Sequence, residues 1–126
     1  MKPNRTTLFL SLAAGLLAGS LLAGTALAHH GWSGYDASKT LNLTGVITQA
    51  EYTNPHGMIR VQVAGQNAKT WVAVLAPPSR MSSRGLTQEM LQVGATVTVV
   101  GYPHTEKTEE MRAERITITG KTVELR

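Results

Sequence analysis

Apolar and polar positions alternate along several stretches of this chain, and that period of two marks strands. Ile59, Val61 and Val63 alternate with Arg60 and Gln62, the pattern of a strand buried on one face. Gly65-Gln66-Asn67 turns the chain, and Thr70 to Ala76 reads as the hairpin partner until Pro77-Pro78 stops it. Trp71 lies on the parity of Ala73 and Leu75, the expected inner face. Upstream, Leu41, Leu43 and Gly45 share one parity and Val46 starts the other, so the first strand is expected to bulge at Gly45. Val93-Gly94 opens a fourth strand from Ala95 to Tyr102, Met111 to Thr119 forms a fifth, and residues 122–125 after Gly120 add a short extension. Residues 79–92 lack alternation. Within them Leu86 to Gln92 is expected to form a short helix with Leu86, Met90 and Leu91 facing inward.

Five strands with one helix between the third and fourth is the order of an all-β, small five-stranded OB-like barrel. A five-stranded open sandwich is the alternative. In an OB barrel the ligand surface is bounded by the loops joining strands 1 to 2 and strands 4 to 5. Here these are Tyr52 to Gly57 and Pro103 to Glu110. His56 lies in the first and His104 in the second, while His29 and His30 precede the barrel. No histidine falls in an expected strand.

The N-terminal 28 residues follow a different grammar. Lys2 and Arg5 form a positive start, Leu8 to Leu27 an apolar run, and Ala26-Leu27-Ala28 a small-residue end. That is the form of a secretory signal peptide, with cleavage expected after Ala28 and export to a bacterial periplasm or beyond. A retained membrane anchor is the competing reading, since the run approaches spanning length. Its glycines, with Ser20 and Thr25, dilute it. Residues 29–126 are then one domain, beginning His29-His30-Gly31-Trp32.

Composition narrows the chemistry. The chain carries 12 basic and 8 acidic residues, for a net charge of +4. Lys2 and Arg5 belong to the leader, so the body is only weakly basic and shows no basic stripe for nucleic acid. Cysteine is absent, which excludes disulfides, thiolate metal sites and cysteine nucleophiles. Aromatic residues are few and do not form a stacking platform for single strands.

Several stretches resemble one bacterial group of small exported proteins. These are Ala28-His29-His30, Tyr35-Asp36, Gly45-Val46-Ile47, Tyr52-Thr53-Asn54-Pro55-His56 and Trp71, continuing through Arg84-Gly85-Leu86-Thr87 and residues 93–101. The chain is similar over nearly its whole body to this family of unknown function, catalogued as domain of unknown function 6152. The His-His and Asn-Pro-His pieces are the most specific. The resemblance implies secretion and a small β-barrel and leaves the activity open; His104 falls outside its pattern. The architecture is also similar to small periplasmic copper chaperones with OB folds, but their Met-rich site has no counterpart here.

Imidazole suits copper, zinc and nickel. A free N-terminal histidine chelates through its amine and ring, and a second histidine completes a three-nitrogen set that favours copper(II). His29 is the expected chelate and His56 its partner, with His30 as alternative and His104 as a more distant candidate. Asn54-Pro55 is a turn-forming pair that would orient His56. Met58, two residues on, is a softer donor if the metal is copper(I), although ordinary core or rim packing is the preferred reading. Met81, Met90 and Met111 read as core. The chain is therefore expected to bind copper ion at a histidine rim, for metal handling rather than catalysis. The alternative is a metal-free module whose rim loops contact a peptide, saccharide or partner protein. An oxidative copper enzyme ranks last, for want of a flat aromatic substrate surface. Asp36, His30 and Ser33 do not make a convincing triad, since no nucleophile elbow surrounds the serine. Glu106, Glu109 and Glu110 read as a solvated rim, and Trp32 and Tyr35 as residues tucking the N-terminal segment onto the barrel. Arg80 and Arg84 are expected to be solvated or to pair with that acidic loop.

Overall fold

The alternating stretches become strands β1 (Leu41–Glu51), β2 (Met58–Val63), β3 (Lys69–Val74), β4 (Thr96–Pro103), β5 (Glu110–Ile118) and β6 (Lys121–Glu124). They come from a computed structural model that describes residues 31–65 and 69–126. The expected leader and cleavage site, with His29 and His30, lie outside the described residues, as does most of the β2–β3 turn. Antiparallel neighbours run in the order β3-β2-β1-β4-β5-β6. A parallel pairing of Val72, Ala73 and Val74 with Glu110, Met111 and Arg112 joins β3 to β5. That pairing closes five strands into an OB-like barrel, and β6 extends β5 as a hairpin. The hairpin turns on Thr119 and Gly120, both at positive φ (51° and 75°), as a tight two-residue turn demands.

Alternation puts Ile59 and Val61 of β2, Ala73 of β3, and Val97 and Val99 of β4 into one core, and a register shift against β4 lets Met111 and Ile116 of β5 both reach it, each at most 1% exposed. Burying each large aliphatic side chain contributes about 1.5–3 kcal/mol. Trp71 shares that parity, facing Val61 across the ladder, but it is only half-buried.

In β1, Leu41, Leu43, Gly45 and Ile47 keep a single inward parity, and Val46 is 41% exposed. The extra residue is Thr48, where the register with β2 shifts, and not Gly45. Gly45 has another task. It pairs with Val63 of β2 and Val97 of β4 at once, and a Cβ there would run into the Gln62 backbone. The glycine lets two strands approach where β1 passes between its partners.

The helix is displaced from its expected place. A single helical turn and a half, α1 (Pro78–Ser83), starts at the prolines that end β3, and residues 88–90 form only a 3-10 turn. Proline suits the first turn of a helix as well as it stops a strand, because its missing N–H has no partner there anyway. Met81, Leu86 and Leu91 are buried beneath this segment. Arg80 and Arg84 do not meet the acidic loop. Arg80 Nη1 donates to the Leu125 carbonyl, and Arg84 Nη1 to those of Glu124 and Arg126, so they pin the C-terminal strand.

Candidate functional site

The segment before β1 is clasped onto the β4–β5 loop. Tyr35 and His104 form an isolated antiparallel bridge. Asp36 N–H donates to the Pro103 carbonyl at 2.9 Å, and Thr105 N–H to that of Gly34 at 2.8 Å. Gly34 suits this spot because a Cβ would stand 3.1 Å from His104 Nε2. The Tyr35 hydroxyl donates to Glu110 Oε1 at 2.7 Å across 75 residues of sequence. Burial, then that hydrogen bond, raises the Tyr35 pKa well above the usual phenol range. Trp32 lies edge-on to Tyr102, with centroids 6.2 Å apart.

Behind this clasp sits Arg112 of β5, 6% exposed. Its guanidinium carbon is 5.0 Å from the centre of the Trp32 ring, and that of Arg126 is 4.7 Å from the same ring. Arg126 has Glu114 within 3.8 Å, whereas among the described residues no ion pair includes Arg112. Its Nε is buried and has no hydrogen-bond partner. Burial, with Arg80 nearby, lowers its pKa, and Tyr35 acts the other way.

His56 is half-buried in the β1–β2 loop, whose base is tied to the barrel by Gly57 N–H to Ala76 O and by Leu75 N–H to Gly57 O. Burial, then the charges of Arg112 and Arg80, lowers its pKa and so favours the neutral ring. A neutral imidazole is what a metal needs, yet the same guanidiniums repel a cation. The Arg112 charge thus bears on His56 while its guanidinium lies at the Trp32 ring, so one cation links the N-terminal segment to the β1–β2 loop. His29 is three residues before Trp32, at most about 10 Å of chain.

His104 is differently engaged. Its Nδ1 accepts the backbone N–H groups of Glu106 at 3.1 Å and Lys107 at 3.0 Å, and its ring stands edge-on to Tyr35 at 4.9 Å. A neutral ring accepting at Nδ1 carries its proton on Nε2, which leaves no lone pair for a metal while the turn is intact. Among the described residues, no three histidine, aspartate or glutamate side chains gather as a ligand set. Asp36 is occupied by Ser38 and Lys39.

A cleft of about 420 Å³ opens between β3 and the β4–β5 loop. Lys69, Trp71, His104, Lys107, Glu109 and Glu110 line it. Two ion pairs cross its walls, Lys69 to Glu109 at 3.5 Å and Lys107 to Glu110 at 3.6 Å. Glu109 holds φ at 58°, unusual for a residue with a side chain, and its carbonyl accepts Val72 N–H at 2.8 Å.

A family model described as a family of unknown function, DUF6152, matches residues 18–112. The chain belongs to that family. The match takes in all four histidines and Trp32 and ends at Arg112, so it leaves out Arg126 and its partner Glu114. No curated protein matches the chain. Among solved structures it is similar to a chain in the crystal structure of a complex of TiaS with a transfer RNA and ATP, at 18% identity and a TM-score of 0.48. That likeness covers 72% of this chain and only 19% of the other, and it carries no inference about ligands. Arg112 is the rim residue that sequence reasoning missed. It follows a core methionine on a strand where Met111, Arg112 and Ala113 are all buried, and no periodic signal announces a covered outer face.

Proposed function

We propose that this DUF6152 barrel is an exported protein that binds copper(II) through the amine and imidazole of His29 together with His56, and handles the metal without catalysing a reaction. The observation behind this reading is the one cation that bears on both segments. Trp32, three residues after His29, rests on the guanidinium whose charge also reaches His56. His30 is the alternative second imidazole. His104 contributes by shaping the loop. The repulsion from Arg112 and Arg80 weakens cation binding, and the chelate ring of an N-terminal histidine is what offsets it.

The test is a copper(II) titration of the processed protein. One tight equivalent is expected near pH 7 to 8, weakening as pH falls through the histidine range near 6.5, with nitrogen hyperfine structure in the paramagnetic resonance spectrum. His56→Ala lowers the affinity, and one residue added before His29 lowers it at least as much, while His104→Ala has less effect. Equal, weak binding by the extended and unextended proteins rules the site out. An intact mass that does not begin at His29 removes the chelate.

The second reading is a metal-free binding module, and the cleft beside Trp71 favours it. Trp71 offers an aromatic face, and the Lys69–Glu109 and Lys107–Glu110 pairs offer both charge signs to a peptide, saccharide or partner.

A further inference from the structure

We propose that Arg112 is a binding site for a carboxylate supplied from outside the chain. The guanidinium is almost wholly covered, its Nε has no partner, and the ring of Trp32 is the group stacked against it. A buried cation without a counter-ion is costly, and a cation–π contact offsets only part of that cost.

The sequence says where the missing charge is not. The chain has 8 acidic residues: Asp36, Glu51, Glu89, Glu106, Glu109, Glu110, Glu114 and Glu124. All are among the described residues, and no ion pair joins any of them to Arg112. Residues 1–30 and 66–68 contain no aspartate or glutamate, so no undescribed side chain can supply the charge. Glu110 and Glu114, each two residues away, are already held, the first by Tyr35 and Lys107 and the second by Tyr102 and Arg126. Nor does Arg126 supply the charge, since its main-chain oxygen accepts from Arg84 Nη1.

Carboxylate is the class that fits. A guanidinium offers parallel N–H donors from a planar fork, and a carboxylate is the smallest organic group that answers it with two coplanar oxygens. Arg80 adds a second positive charge close enough to bear on both Arg112 and His56. The carboxylate comes either from a free small acid or from the C-terminus of a peptide. The site does not depend on copper, and a carboxylate held there would reduce the repulsion a metal at His56 meets.

The experiment uses folded, full-length body protein stripped of metal on a chelating resin, since soluble chelators are themselves carboxylates. The Arg112 Nε–H resonance is followed during titration at constant ionic strength with sodium acetate, with a short peptide bearing a free C-terminus, and with the same peptide amidated. Saturable shifts of that resonance, together with a change in Trp32 emission, are expected with acetate or with the free-acid peptide. Comparable affinity for both identifies a small-acid site; a much tighter free-acid peptide identifies a partner tail. Arg112→Lys, which keeps the charge without the fork, is expected to bind about tenfold or more weakly. Arg112→Met is expected to fold, with a Tm at or above the parent's, and to lose the rise in Tm that acetate gives the parent. A strongly lowered Tm in Arg112→Met would show a structural cation and overturn the proposal. So would a linear, non-saturating response, an equal response to chloride, or equal binding of the amidated peptide.

Discussion

At the scale of single residues, burial and Arg112 together set the behaviour of His56. Arg112 and Arg80, on β5 and α1, are the charged groups bearing on the imidazole, and with burial they hold its folded pKa below that of the unfolded chain. The unfolded state therefore binds the proton first as pH falls. The resulting stability is complete above about 6.5 and is lost as pH drops toward the folded value, with no further loss below it. Thermal melts of metal-free protein across that window should show Tm falling with acid, and His56→Gln should flatten the His56 share of the slope. Identical slopes in the two proteins would mean that the imidazole is as solvated folded as unfolded. The loop placement of His56 and His104 was readable from sequence, because histidine interrupts none of the alternating runs. Their different fates were not. What sets His104 aside is a pair of backbone amides from its own turn, and what sets His56 apart is an arginine 56 residues away in sequence.

At the scale of elements, parity located the strands well and solvent cover less well. Ile59 and Trp71 both point to the barrel interior, yet Ile59 is fully enclosed while Trp71 also faces the cleft. Ile59→Ala should cost about 2–5 kcal/mol, and Trp71→Ala should fall short of the about 3–5 kcal/mol typical of a buried tryptophan. Chemical denaturation of both variants checks the order. A Trp71 loss equal to a fully buried ring would mean that the cleft closes in solution. The helix shows why boundaries elude pattern reading. Pro77-Pro78 carries two messages, an end to β3 and a beginning to α1, and only the packing of Met81 under the segment decides between them. The expected bulge at Gly45 slid to Thr48 for a similar reason. A glycine in a strand marks either an inserted residue or a close approach, and Gln62 makes it the second.

For the whole molecule, strand order was legible because β1 to β3 form a meander and the helix interrupts before β4. The clasp of residues 31–36 was less so, since its partners are over sixty residues distant and follow no period. The barrel closes through only three parallel pairs between β3 and β5, against six or seven in most other ladders. That seam borders the cleft and includes Arg112. Amide hydrogen exchange should therefore be faster at Val72 than at Ile47 or Val99, and a carboxylate at Arg112 should slow it. Uniform protection around the barrel would contradict a weak seam.

The clasp also fixes an order in time. A ribosome delivers Trp32 and Tyr35 long before Glu110 and Arg112, and the Tyr35–Glu110 bond spans 75 positions. Until β5 has been synthesised and has paired with β4, the N-terminal segment lacks Glu110 and Arg112, two of the partners that hold it. The rim is thus incomplete until β5 is in place, and any ligand that needs both the N-terminus and Arg112 can be taken up only after that.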